Sequence, residues 1–97
     1  MESNIKAASI YKMIPRGWDR SILPELYEMG LIPKKNLIDG KVYIGHCRNA
    51  YEATWNADQQ EFIYKRHKFG TIYNESIKHP EDDNGFDIFV PVMEKNG

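Results

Sequence analysis

The stretch Tyr51-Glu52-Ala53-Thr54-Trp55, Asn56-Ala57-Asp58-Gln59-Gln60, Glu61-Phe62-Ile63-Tyr64-Lys65 decides the fold. Tyr51, Ala53 and Trp55 alternate with Glu52 and Thr54, and Phe62 and Tyr64 alternate with Ile63 and Lys65. A period of two is the signature of a strand with one buried face. The polar segment between the two runs makes them a β-hairpin. Upstream, Val42 and Ile44 alternate with Tyr43 and Gly45 behind an Asp39-Gly40 turn, so a strand precedes the hairpin. Downstream the second run continues through Lys68-Phe69. Gly70 marks a bulge or bend, and Thr71-Ile72-Tyr73 extends the strand. Asn74 to Lys78 suits one helical turn. The segment His79-Pro80-Glu81-Asp82-Asp83-Asn84-Gly85 reads as a loop. Phe86, Ile88, Val90 and Val92 then alternate with Asp87, Phe89 and Pro91, the cleanest strand pattern in the chain. Pro91 assigns that strand to a sheet edge or terminus, and fraying is expected after Met93.

The first forty residues carry weaker signals. Ile10, Met13 and Ile14 fit one apolar helical turn or an edge strand, and Pro15-Arg16-Gly17 breaks either. A helix is predicted over 21–29. Ser21 is its cap, Pro24 and Glu25 occupy the first turn, and Ile22, Leu26 and Met29 share one face. Gly30 and Pro33 end it. The sum is an α+β domain: one small antiparallel sheet of about four strands, with one short N-terminal helix packed on it.

Composition narrows the function. With 97 residues the chain makes one domain, 1–97, with a core expected over about 20–92. A hydrophobic content of 41% with 12% aromatics is enough to offset chain entropy, so disorder is excluded. A net charge of −1 removes a strong case for non-specific nucleic-acid binding. No apolar run reaches the roughly 18–20 residues of a membrane helix, and no signal-peptide pattern is visible. The single cysteine, Cys47, suits a reducing compartment, so a cytoplasmic location is expected. The charge is uneven. Residues 41–79 carry six basic and four acidic side chains, and residues 80–97 carry one basic and five acidic. Opposite local potentials attract over about 8–10 Å, so the two zones are expected to face each other or a partner.

Three segments could hold chemistry. The acidic loop Glu81, Asp82, Asp83 with Asp87 could bind a hard cation, act in acid–base work, turn freely in solvent, or clamp the loop, with Asp82 or Asp83 accepting backbone N–H bonds or pairing with Arg48 or Arg66. Its spacing is too compressed for a calcium loop, and no bidentate Glu follows. The segment Gly45-His46-Cys47-Arg48-Asn49-Ala50 joins two strands. Arg48 offers a fork for carboxylate or phosphate, and Asn49 an amide for a carbonyl or base edge. His46 and Cys47 are adjacent and so point to opposite faces, which opposes a nucleophilic pair. Cys47 reads as a small buried hydrophobe. The third segment is Tyr64-Lys65-Arg66-His67-Lys68-Phe69. On a strand, Tyr64, Arg66 and Lys68 share a face, placing cations beside a ring that can stack on a nucleotide. The competing reading is a solvated edge face. Trp55 is a further candidate stacking ring, though such a residue more often packs a hairpin. His46, Cys47, His67 and His79 lack zinc spacing. No cofactor or metal is expected.

The series Tyr43-Ile44-Gly45-His46-Cys47-Arg48-Asn49-Ala50, Ala53, Trp55, Phe62, Tyr64, Arg66, Lys68-Phe69-Gly70, His79-Pro80-Glu81-Asp82-Asp83, Gly85-Phe86-Asp87 and Phe89-Val90-Pro91 resembles a group of short proteins encoded by phages and prophages. The resemblance covers about residues 40–92. It implies a counter-defence role in the host cytoplasm, exercised by masking a host defence protein or sequestering a nucleotide signal. The expected protein is then a non-enzymatic binding module. Its ligand site is Arg48, Asn49, Trp55, Tyr64, Arg66 and Lys68, for a small anionic ligand. Glu81, Asp82, Asp83 and Asp87 form a partner surface or loop clamp. The rival expectation is a small nucleotide-cleaving hydrolase built on His79, Glu81, Asp82 and Asp83. Exposed hairpin aromatics would also suit a homo-oligomer.

Overall fold

A computed structural model describes residues 2–82 and 87–96. The chain is α+β, with helix α1 (Glu2–Lys12), helix α2 (Leu23–Met29) and strands β1 (Val42–His46), β2 (Glu52–Asn56), β3 (Glu61–Lys68), β4 (Thr71–Ile77) and β5 (Val90–Glu94). The strands form one antiparallel sheet in the order β4-β3-β2-β1-β5. No described helix is long and apolar enough to cross a membrane.

The hairpin Glu52–Lys68 forms as its alternation predicts, with Trp55 opposite Phe62. Its turn is held by Asn56 Oδ1, which accepts the Gln59 amide at 3.0 Å, and by Gln60 at φ 56°. The fifth strand is the part not anticipated. Phe69 and Gly70 both have positive φ, 52° and 77°, which is the two-residue turn that suits the right-handed twist of a hairpin. The chain therefore reverses at Gly70, and Asn74–Ile77 is strand rather than a helical turn. At the C-terminus the Lys95 amide bonds to the Val42 carbonyl at 2.8 Å, so the expected fraying after Met93 is replaced by pairing through Glu94.

The two sheet faces bury separate cores. On one face Tyr43, Cys47, Ala53, Trp55, Phe62, Tyr64, Ile77 and Phe89 pack under the segments carrying Ile32 and Leu37. On the other, α1 lies over β1 and β5 and buries Ala7, Ile10, Ile14, Trp18, Leu26 and Leu31 with Ile88 and Val90. The core thus begins well before residue 20, because α1 carries a narrow stripe in which Ala7 and Ile10 are fully buried. Ser21 caps no helix: Asp19 caps the 3₁₀ turn ahead of α2, its side chain accepting the Ser21 amide at 2.9 Å, which lowers its carboxyl pKa, and α2 itself starts at Leu23 with no side-chain cap. A 3₁₀ turn over Arg20–Ile22 leads into α2, Leu26 is its buried residue, and Gly30 ends it at φ 123°. Pro91 sits on edge strand β5, as a residue without an N–H should, and its carbonyl accepts the Ile32 amide at 3.0 Å.

Candidate functional site

The acidic loop is a clamp, and its partners differ from those expected. Glu81 Oε2 accepts from Tyr27 Oη at 2.9 Å and from the Lys34 amide at 2.9 Å. Arg20 donates to the Glu81 carbonyl. Asp82 pairs with Lys34 Nζ at 2.7 Å rather than with Arg48 or Arg66. The Tyr27 hydroxyl, partly buried against the Glu81 carboxylate, has its pKa pushed up to about 12. Asp83 lies outside the described residues.

His79 is fully buried beneath Phe62, with ring centroids 6.4 Å apart. Its Nδ1 accepts the Glu81 amide at 3.1 Å, so Nε2 carries the proton and donates to the Ile32 carbonyl at 2.8 Å. Both ring nitrogens are engaged in holding the fold, which leaves the imidazole in its neutral form. Burial lowers its pKa, outweighing the bond to Ile32 and the nearby Glu81 and Asp82 charges, which act upward. The folded state therefore resists protonation more than the unfolded chain does. The stability that neutral His79 contributes is complete above about pH 6.5 and is lost as pH falls below it, at up to about 1.4 kcal/mol per pH unit. The half-buried His46, whose pKa is also lowered by burial, adds in the same direction. Urea titrations at pH 7.5 and 5.5 should show the lower midpoint at pH 5.5. An NMR titration should find the His79 pKa below that of an ordinary imidazole.

Cys47 is 1% exposed, and burial pushes its thiol pKa up, the setting of a core residue rather than a nucleophile. His46 points to the opposite face, against the Tyr11 ring at 4.8 Å. Among the described residues no three His, Cys, Asp or Glu side chains converge as metal ligands.

The expected anion site divides. Trp55, at 2% exposure, stacks against Phe62 at 4.9 Å between centroids, and Tyr64 is 7% exposed. Both rings are core rather than open platforms, because the face they share with Tyr43 is the one covered by the Ile32 and Leu37 segments. The Tyr64 hydroxyl accepts from Asn49 Nδ2 at 3.4 Å. Arg48 and Asn49 are exposed in the loop between β1 and β2. Arg66 sits on the Tyr64 face, as parity predicts, and pairs with Glu75 at 3.7 Å. Lys68 is exposed with Nζ 5.6 Å from the centroid of Phe69. Asp82 shares a hollow with Gln59, Gln60 and Glu61, at the opposite end of β3 from Lys68. Asp87 is exposed, and its charge raises the Tyr64 and Cys47 pKa values, which are governed first by burial.

The feature missed at the level of sequence is a projecting ribbon. β3 pairs with β2 only as far as Ile63, yet pairs with β4 through Lys68. From Lys65 to Asn74 the hairpin is therefore two-stranded. Lys65, Arg66, His67 and Lys68 line it, and no acidic residue occurs from Phe62 to Asn74. Phe69 stands at its tip, 94% exposed. Lys65 and Asn74 also edge a groove of about 620 Å³ on the sheet face, floored by Val42, Thr54 and Ile63. The sequence signal was present in the Phe69-Gly70 pair, since a strand run closed by Gly and followed by Thr-Ile-Tyr can equally be a hairpin. No protein-family model, curated protein or solved structure matches this chain.

Proposed function

We propose that this protein is a non-enzymatic binding module that masks an acidic surface of a host defence protein, with the ribbon 65–74 as its working end. The observation that carries the reading is Phe69. A bulky residue at φ 52° occupies a conformation that Gly or Asn adopts more cheaply, and here its ring is 94% exposed. The ring is outside both hydrophobic cores and meets Lys68 Nζ at 5.6 Å, and an exposed aromatic beside cations is a good interface anchor. The cationic ribbon supplies steering toward an acidic partner. The resemblance to short phage proteins supports a counter-defence setting in the host cytoplasm. Protein masking is favoured over capture of a small nucleotide, because Trp55 and Tyr64 are buried. It is favoured over hydrolysis, because His79 and Glu81 are engaged in the clamp.

The test is native mass spectrometry of the tagged protein recovered from its host. One host protein should be retained by the wild type and lost from a Lys65→Glu/Lys68→Glu double variant. Capture indifferent to that reversal, or recovery of a bound nucleotide instead, overturns the reading. A Phe69→Asn variant should be equally stable or more stable, by up to about 1 kcal/mol in a denaturant titration, because Asn tolerates the left-handed turn. The same variant should bind the partner at least tenfold more weakly.

A further inference from the structure

The two edges of the sheet are treated differently. β5 carries Pro91, its register with β1 shifts between Ile44 and Gly45, and the Ile32 amide caps the Pro91 carbonyl. These are the devices that keep an edge from pairing with another chain. β4 has none of them. It runs seven residues, Thr71–Ile77, without proline, lysine or arginine, and its register with β3 is unbroken from Lys68↔Thr71 to Phe62↔Ile77. The two-residue turn makes Lys68 and Thr71 a hydrogen-bonded pair, so Tyr73, Glu75 and Ile77 also bond toward β3. Ile72, Asn74 and Ser76 then aim their N–H and C=O groups outward. Among the described residues no backbone hydrogen bond reaches these three from outside the hairpin.

We infer that the outer edge of β4 is a strand-addition site for an extended acidic segment of the partner; the inference rests on the proposed masking function. An added strand would lie about 4.8 Å beyond β4 and about 10 Å from β3. Glu side chains on it and the Lys65 or Lys68 side chains on β3 together span that distance. The exposed Lys65 and Lys68, with Arg66 already paired to Glu75 of β4 at 3.7 Å, set the charge of the occupant. A second copy of this chain fits less well. Antiparallel β4 pairing centred on Asn74 puts Thr71 opposite the other copy's Ile77, and so brings Lys78 of that copy to the basic tip. It also joins two equally basic ribbons in one sheet.

The probe is a synthetic decapeptide alternating Glu with Val and Thr, added at millimolar concentration to the full chain. Amide hydrogen exchange at Ile72, Asn74 and Ser76 should slow at least tenfold, and a peptide with Lys in place of Glu should leave it unchanged. The Asn74→Pro variant loses only an outward-facing N–H, so its melting temperature should stay close to that of the wild type. It should abolish the protection and weaken partner capture at least tenfold. Absence of protection at the three amides overturns the inference. So does partner capture that survives Asn74→Pro while it is lost on Lys65→Glu/Lys68→Glu; that result leaves the masking function intact. Sedimentation of the wild type as a dimer that Asn74→Pro dissociates also overturns it, and assigns the edge to self-pairing.

Discussion

Gly45→Ala should lower the melting temperature by about 12 °C or more. A Cβ at this position would meet the Val90 carbonyl oxygen at 1.9 Å and its carbon at 2.8 Å, with Phe89 Cζ at 2.9 Å. The first two contacts are backbone, so no rotamer change relieves them, and β5 must move away from β1. Overpacking of this kind costs about 1–3 kcal/mol, and a backbone clash belongs at or above the upper end. For a domain of this size each kcal/mol shifts the midpoint by about 4–8 °C. The displacement should be visible locally. The Lys95 amide, bonded to Val42, and the Ile32 amide, bonded to Pro91, should lose hydrogen-exchange protection before the β2–β3 amides do. A variant with wild-type stability would show that the close approach of β5 to Gly45 is not required.

Phe62→Ala should be at least as damaging, costing about 3–5 kcal/mol. Phe62 is fully buried and its ring meets Trp55 at 4.9 Å, Phe89 at 4.8 Å, Tyr43 at 6.3 Å and His79 at 6.4 Å. It joins the hairpin to the segments that arrive from both sides of it in sequence. Removing the ring leaves a cavity and also opens the lid over His79, so part of the clamp loosens with the core. A denaturant titration should show a lower midpoint with an unchanged slope, and Phe62→Leu should recover more than half of the loss. Since a small domain has only about 5–15 kcal/mol in total, the alanine variant should be partly unfolded well below the wild-type transition. A loss under about 1 kcal/mol would mean that the aromatic cluster is not the centre of this core.

The two charged ends of the molecule were legible to different degrees. The basic run was readable because strand parity is local: Arg66 and Lys68 share the Tyr64 face in the register as they do in the alternation. The acidic loop was readable as a clamp but not in its partners. Tyr27 lies 54 residues from Glu81 in sequence, and Lys34 lies 47 residues from it. No local pattern carries such a pairing. α1 was hidden because its buried stripe is mostly small or short, with Ala7 as one member and Ile5 turned to solvent at 66% exposure.

The alternation of apolar residues, with the turn residues between the runs, determined by itself the antiparallel hairpin at the heart of this α+β domain, the edge position of Pro91 and the helix around Leu26. Which face of that sheet became interior was a tertiary decision. A period of two says only that two faces differ. The Ile32, Leu37 and Phe89 segments arrive from distant parts of the chain, and they bury Trp55 and Tyr64, whereas Arg66 and Lys68, next on the same face, are half-buried and exposed. Beyond Tyr64 no described strand or loop accompanies the hairpin, so side chains of the same parity pass from core to exposed ribbon. The physical reason is that burial depends on what packs against a strand, and the strand's own residues cannot specify it.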